Sequence, residues 1–376
     1  MTTSASLDVD DDAPWVEALR LLEHSATTEG GLHEAGARAF QQKLVTLVDE
    51  RRRADVLLAA HPEVRARPLP VRFAIAGLGR SGTTLLHRLL SCDPAVAYLP
   101  TWQAFHPVPP VDGEDRRRAE TVARIDAIRA DDPDALKVHP LDPDAPEEEV
   151  FLLQHSFASM LFALPCPLPS YNEWLNTTDH TDAYEFAFDV VRLNEWHARR
   201  LPGRPRVMKS PQFVLDLAVV ARLLPGTVIV QNHRDPVDLV GSYCSTYESA
   251  RRRSCRSVDR VALGRERLVQ LQTMTQHALM VRADADASGD GGRFVDVLYA
   301  DLVAEPVTVV ERIYAAAELE LERDARAAMT DWLTAHPQHQ AGRHAYDLAD
   351  YGLDRATVEA ALVDYLDRFH PRAEDR

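Results

Sequence analysis

Residues 77–84 read Gly-Leu-Gly-Arg-Ser-Gly-Thr-Thr, small and hydroxylated residues around a single arginine. Ahead of them Val71-Arg-Phe-Ala-Ile-Ala alternates like a strand, and behind them Leu85, Leu86, Leu89 and Leu90 share one helical face up to Asp93-Pro94. A strand, a glycine-rich turn and a helix make an anion cradle, because exposed amide N–H groups and the positive helix end converge on one point. As G-x-G-x-x-G, through Gly77, Gly79 and Gly82, the loop would suit a dinucleotide. That fingerprint needs a carboxylate about 20 residues further on, and Val96-Ala-Tyr-Leu-Pro-Thr-Trp102 offers none. As G-x-x-x-x-G-K-S/T the loop has both glycines and Thr84, yet Thr83 replaces the lysine that an NTPase places on the β- and γ-phosphates. Arg80 projects from mid-loop instead, and a forked cation suits a terminal group carried on a 5′-phosphate.

A second cationic point follows a later strand. Thr227 to Gln231 is a short apolar run, Arg234 comes just after it, and Ser242 lies eight residues on. If Asp235-Pro236 starts a helix, Ser242 sits two turns in and faces back toward the strand end. Arginine and serine there form a compact site for a second phosphate, so the ligand is expected to be phosphorylated at two places.

With both motifs in this order, the chain resembles the sulfotransferases that use 3′-phosphoadenosine 5′-phosphosulfate (PAPS), in the bacterial branch with a Gly-Arg-Ser-Gly-Thr-Thr loop. The resemblance spans residues 71–354. It implies that Gly79, Arg80, Ser81, Gly82, Thr83 and Thr84 hold the 5′-phosphosulfate, and that Arg234 and Ser242 hold the 3′-phosphate. Lys209, in Val207-Met-Lys-Ser-Pro211, would touch the transferring sulfuryl group. Tyr299, in Tyr299-Ala-Asp301-Leu302, would lie near the adenine, and Arg343 and His344, in Gly342-Arg-His-Ala-Tyr346, would close over the nucleotide. The implied reaction moves a sulfuryl group to a hydroxyl, or an amine, of a small-molecule acceptor and leaves adenosine 3′,5′-bisphosphate (PAP). No metal is required by this reading, since Arg80, Lys209 and Arg234 answer the nucleotide's charge.

Two departures bear on the proton acceptor. Cytosolic relatives carry a histidine two residues after the strand lysine, where this chain has Pro211; the tyrosyl-protein branch has a glutamate where this chain has Thr101. An acceptor hydroxyl still needs help losing its proton. Glu147, Glu148 and Glu149 are the first candidates, Glu148 foremost and Glu149 next, with His139 and His155 as alternatives. The three acids read as the first turn of a helix begun at Asp144-Ala-Pro146, where carboxylates also answer the helix dipole. A P-loop nucleotide kinase and a non-catalytic nucleotide-binding protein that lost its base are the competing readings.

The elements that must position these groups read as α/β: a P-loop-type parallel sheet flanked by helices on both faces. Residues 1–12 are expected to be a disordered leader, 13–66 an N-terminal helical layer, and 67–376 the α/β domain with a helical insertion at about 107–200. Residues 106–118 read as an exposed loop, 213–224 as one helix, and Arg251 to Arg253 with Arg256 as a solvated face. Phe162, Tyr171 and Trp174 are either core or the wall of an acceptor pocket.

A net charge of −16 disfavours nucleic acid and anionic membranes as partners, so any anion must be held by a local pocket. The four cysteines show no C-x-x-C, the first residues show no apolar signal segment, and no apolar run is long enough to span a membrane. The expectation is a cytoplasmic protein with free thiols, with a homo-oligomer left open.

Overall fold

A computed structural model describes residues 13–131, 141–200, 203–289, 291–336 and 347–369. Within them β1 (Val71–Ile75), β2 (Arg206–Lys209), β3 (Val228–His233) and β4 (Phe294–Leu298) form one sheet in the order β2-β1-β3-β4. All pairings are parallel, with Ile75 opposite both Lys209 and Val230, and His233 opposite Leu298. Parallel strands deliver their carboxyl ends to the same edge, and the chain switches sides of β1 between β2 and β3. In open α/β sheets that switch point is where ligands bind.

Helices cover both faces. On one, α3 (Thr83–Ser91) turns Leu86, Leu89 and Leu90 onto Phe73, Ile75 and Val230, joined by Val309, Val310 and Ile313 of the helix Pro306–Ala316. The other face carries a larger core that takes in the N-terminal helices α1 (Pro14–Thr28) and α2 (Glu34–Ala60). Those two part at Gly30-Gly31, where Gly31 has φ +57°, and pack through Trp15 on Phe157 (5.5 Å) and Phe40 on Phe162 (6.4 Å). Beyond β3, α4 (Pro236–Ser254) and α5 (Arg260–Ser288) lie against each other. Among the described residues no helix is long and apolar enough to cross a membrane.

Four local expectations are corrected. The glutamates 147–149 do not open a helix: the helical turn is Val150–Leu153. Pro146 bridges Pro100, the Glu147 N–H donates to Leu99 O at 2.8 Å, and the Glu149 N–H donates to Lys209 O at 3.1 Å. These bonds hold 146–148 out of the helix, which Glu149 caps. The stretch 213–224 is a 3-10 turn, Pro211–Val214, followed by the helix Leu217–Leu223, because the Ser210 side chain caps a turn that Pro211 begins. In 106–118, Val108 and Arg117 are buried, and Arg117 opens the helix Arg117–Asp131 with bonds to Asp115 and Asn194. Arg251 is not solvated either; it is buried on both carboxylate oxygens of Glu266 at 2.7 Å and on Ala163 O at 3.2 Å. Arg252, Arg253 and Arg256 are exposed as read.

Candidate active site

The loop between β1 and α3 is shaped by where side chains cannot go. A Cβ on Gly77 would stand 2.5 Å from Thr83 Cγ2 and 2.8 Å from Asn232 Cβ, so the β1 and β3 ends approach closely only over glycine. Gly82, the residue before α3, has φ +88°, and Arg80 is left-handed at φ +71° although it is not glycine. Such a backbone costs on the order of 1 kcal/mol and persists only where its surroundings hold it. Ser81 does part of that holding: its hydroxyl and its amide both donate to Leu78 O, at 2.5 and 3.2 Å. The Ser81 hydroxyl is thus buried and spent inside the turn. Thr83 is buried and Thr84 is exposed. As residues of the first turn of α3, both carry amides without an acceptor further back in the helix.

The two cationic points meet. Arg80 Nε donates to Ser242 Oγ at 3.2 Å, and Arg234 Nη1 donates to Arg80 O at 3.0 Å. Arg234 also donates to Asp238 Oδ2 at 2.9 Å, its i+4 neighbour on α4, and its guanidinium lies 4.3 Å over the ring of Tyr299. Arg80, Thr84, Arg234 and Tyr299 thus form one wall of a cavity of about 440 Å³.

The facing wall holds Glu148, Met160, Leu161, Leu164, Pro211 and Tyr247. Lys209, the last residue of β2, is buried, and its Nζ forms an ion pair with Glu148 Oε1 at the cavity edge. Glu149 is turned elsewhere. It is fully buried, does not line the cavity, and its Oε2 accepts the Lys209 N–H at 2.7 Å. Burial pushes its carboxyl up to about 8, against the partial relief of that bond. Its expected role as base is thereby corrected: it fixes the strand end that carries Lys209. Glu147 accepts the Glu148 N–H at 3.0 Å through its side chain.

His155 is buried and shares a 2.8 Å hydrogen bond with Glu50 of α2, away from the cavity. His139, Arg343 and His344, like residues 1–12, lie outside the described residues. Thr101 is buried with its hydroxyl on Ala145 O at 3.1 Å. Phe162 and Tyr171 are core, Tyr171 holding the Ser159 N–H at 3.0 Å and so bracing the turn Met160–Ala163. Trp174 lines a different cavity, of about 390 Å³, between α1, α2 and the helix Thr181–His197. None of the loop or strand-end groups reaches that second space.

Two residues of the site escaped the sequence reading. Tyr243, next to Ser242, accepts the Gly79 N–H on its hydroxyl at 2.6 Å and lines the cavity; its adjacency to Ser242 was the available signal. His87 is buried on the otherwise apolar face of α3. Burial, then the charges of Lys209 and Arg88, hold its pKa well below the usual histidine value, so it adds no charge beside Lys209. Among the described residues no three His, Cys, Asp or Glu side chains gather as a metal site.

The arrangement brings two fixed guanidinium groups, a helix N-terminus and a lysine–carboxylate pair around one space. It can bind an anion at two points and take a proton beside them. Comparison with known proteins places the chain in a family. A family model described as "Sulfotransferase family" matches residues 70–323. The fold is similar to sulfotransferase STF9 from Mycobacterium avium, at 25% identity and a TM-score of 0.85, over 98% of this chain and 94% of that one. It is also similar to sulfotransferase STF1 from Mycobacterium tuberculosis, at 26% identity and a TM-score of 0.76, over 95% and 93% of the two chains. No curated protein matches the chain. Matched by the family model from the start of the sheet to beyond its last strand, this chain belongs to the sulfotransferase family.

Proposed function

We propose that the protein transfers a sulfuryl group from PAPS to a hydroxyl, or less readily an amine, of a small molecule. The observation that carries this reading is the contact of Arg80 with Ser242 and of Arg234 with the Arg80 carbonyl, which sets both anion points on one cavity beside Lys209 and Glu148. The residues fit a doubly phosphorylated adenosine. The cavity of about 440 Å³ is within the usual range for small ligands, the first amides of α3 suit phosphate oxygens, and the Tyr299 ring offers a face to a base. Thr83, in place of an NTPase lysine, is buried.

When bound, PAPS supplies the sulfuryl group and departs as PAP. The protein's part is electrostatic and positional. Arg80, the first amides of α3 and Lys209 meet negative charge that grows as the donor bond breaks, and interactions that strengthen in the transition state lower the barrier. Arg234 and Ser242 hold the 3′-phosphate end at a fixed distance from that point. Glu148 Oε1 takes the proton of the acceptor hydroxyl, and its ion pair with Lys209 keeps the carboxylate aimed at the cavity. Glu148 in this position also speaks against a protein that has lost its base. Met160, Leu161, Leu164 and Tyr247 suit an acceptor with an apolar body, such as an alcohol or phenol.

The test is transfer from radiolabelled PAPS to a panel of alcohols and phenols. Labelled sulfate ester and PAP in equal amounts are expected. Tight PAP binding with no transfer to any member would refute the catalytic reading.

A further inference from the structure

We infer that the Tyr243 hydroxyl is the group that recognises the sulfuryl end of the donor, giving its proton to a sulfuryl oxygen that PAP lacks. This rests on the PAPS reading above. Tyr243 follows Ser242 on α4, is buried, and brings its hydroxyl to the cavity wall. One lone pair of that oxygen is committed, accepting the Gly79 N–H at 2.6 Å. The proton is not: no acceptor for it is found among the described residues. A hydroxyl on a cavity wall with its proton uncommitted within the protein is free to donate it to a water or to a bound ligand.

Three features aim the donor. Gly79 is the residue ahead of Arg80, so the bond ties the hydroxyl to the loop proposed to hold the 5′ end. A Cβ on Gly79 would stand 2.8 Å from the Tyr243 oxygen, so glycine at 79 is what lets the phenol come this close. The ring lies beside Tyr247 at 6.3 Å, which limits its swing. Burial, with the charges of Tyr247 and Glu148 adding, raises the phenol's pKa, and the group stays a donor through the neutral range.

A neutral donor is also the chemically apt one. A sulfuryl group carries one negative charge over three oxygens, whereas a terminal phosphate carries close to two and draws cations more strongly. Arg80 and Arg234 answer phosphate charge; an uncharged O–H adds a contact specific to the sulfuryl oxygens without further favouring phosphate.

The experiment is calorimetric titration of PAPS and of PAP, separately, into wild type and Tyr243→Phe, with thermal unfolding of both proteins. Phenylalanine keeps the ring packing and removes only the hydroxyl. Because the Gly79 N–H also loses its acceptor, we expect Tyr243→Phe to melt somewhat lower and to lose about tenfold more affinity for PAPS than for PAP. Equal weakening toward both nucleotides would show that the hydroxyl only braces Gly79, and no weakening toward either would show that it contacts nothing. Either result overturns the inference while leaving the PAPS reading intact. Wild type that binds neither nucleotide would overturn both.

Discussion

One wall of the cleft carries Arg80, Arg234 and Tyr299, on the loops and helices that leave the strand ends; the other carries Glu148, Met160, Leu161 and Leu164, on a stretch of short helical turns between Pro146 and Pro165. The first wall is held by local geometry: a left-handed Arg80, a Ser81 folded onto Leu78, and an arginine within two residues of a β-strand. The second is held from behind by distant partners. Gln212 takes the Met160 N–H at 2.9 Å, Tyr171 takes the Ser159 N–H, and Arg251 holds Ala163 O. Anion binding needs backbone amides and cations at strand ends, and few local sequences supply them. An apolar wall can be assembled from almost any segment that the core will brace.

Substitutions can break this contrast or sharpen it. The largest effect is expected for Lys209→Ala, which removes the cation at the junction of the walls. Turnover should fall about a thousandfold with PAP affinity nearly retained; a loss mainly in affinity would make Lys209 part of the anion wall alone. Next comes Glu148→Gln, expected to slow transfer about a hundredfold without weakening PAP. Full activity would move the proton acceptor to another group.

Arg234→Ala should weaken PAP about thirtyfold, on the order of 2 kcal/mol, and leave adenosine 5′-phosphosulfate, which has no 3′-phosphate, nearly unaffected. Parallel losses for both nucleotides would show that Arg234 supports the loop through Arg80 O rather than reading the 3′ end.

The smallest effect on chemistry is expected for Glu149→Gln, and its consequence falls on stability. The folded Glu149 carboxyl titrates near 8 and the unfolded one near the ordinary 4.5. Between those values the folded protein binds more protons than the unfolded chain, so wild-type stability falls as pH rises from about 5 to about 8 and levels off above. The variant should lack that slope and gain on wild type by on the order of 3 kcal/mol across the window. Urea unfolding at pH 5 and pH 8 measures it, and equal slopes would mean that burial does not hold the carboxyl neutral.

Much of the anion wall could be read in the chain. The glycine spacing, Thr83 in place of lysine, and the eight-residue step from Arg234 to Ser242 are chemical constraints written locally, and strand alternation placed them on a parallel sheet. Glu148 is favoured from the sequence with the wrong local structure around it, because the bonds that keep 146–148 out of the helix run to Leu99, Pro100 and Lys209. Those partners lie some fifty residues away in sequence or more, beyond any periodicity. The placement of Arg251 was hidden for the same reason: a run of arginines looks solvated until Glu266, on the next helix, is laid beside it. Tyr243 was missed because a tyrosine on a buried helix face reads as core, and only the Gly79 contact shows its hydroxyl to be part of the site.

That one nucleotide bridges Arg80 and Arg234 is tested most directly by calorimetric titration of the wild-type protein with PAP, adenosine 5′-monophosphate and ATP with magnesium. The account predicts that PAP binds about a hundredfold more tightly than either of the others, each phosphate adding its own charge-assisted contacts. ATP binding as tightly as PAP, or adenosine 5′-monophosphate matching it, would contradict the account.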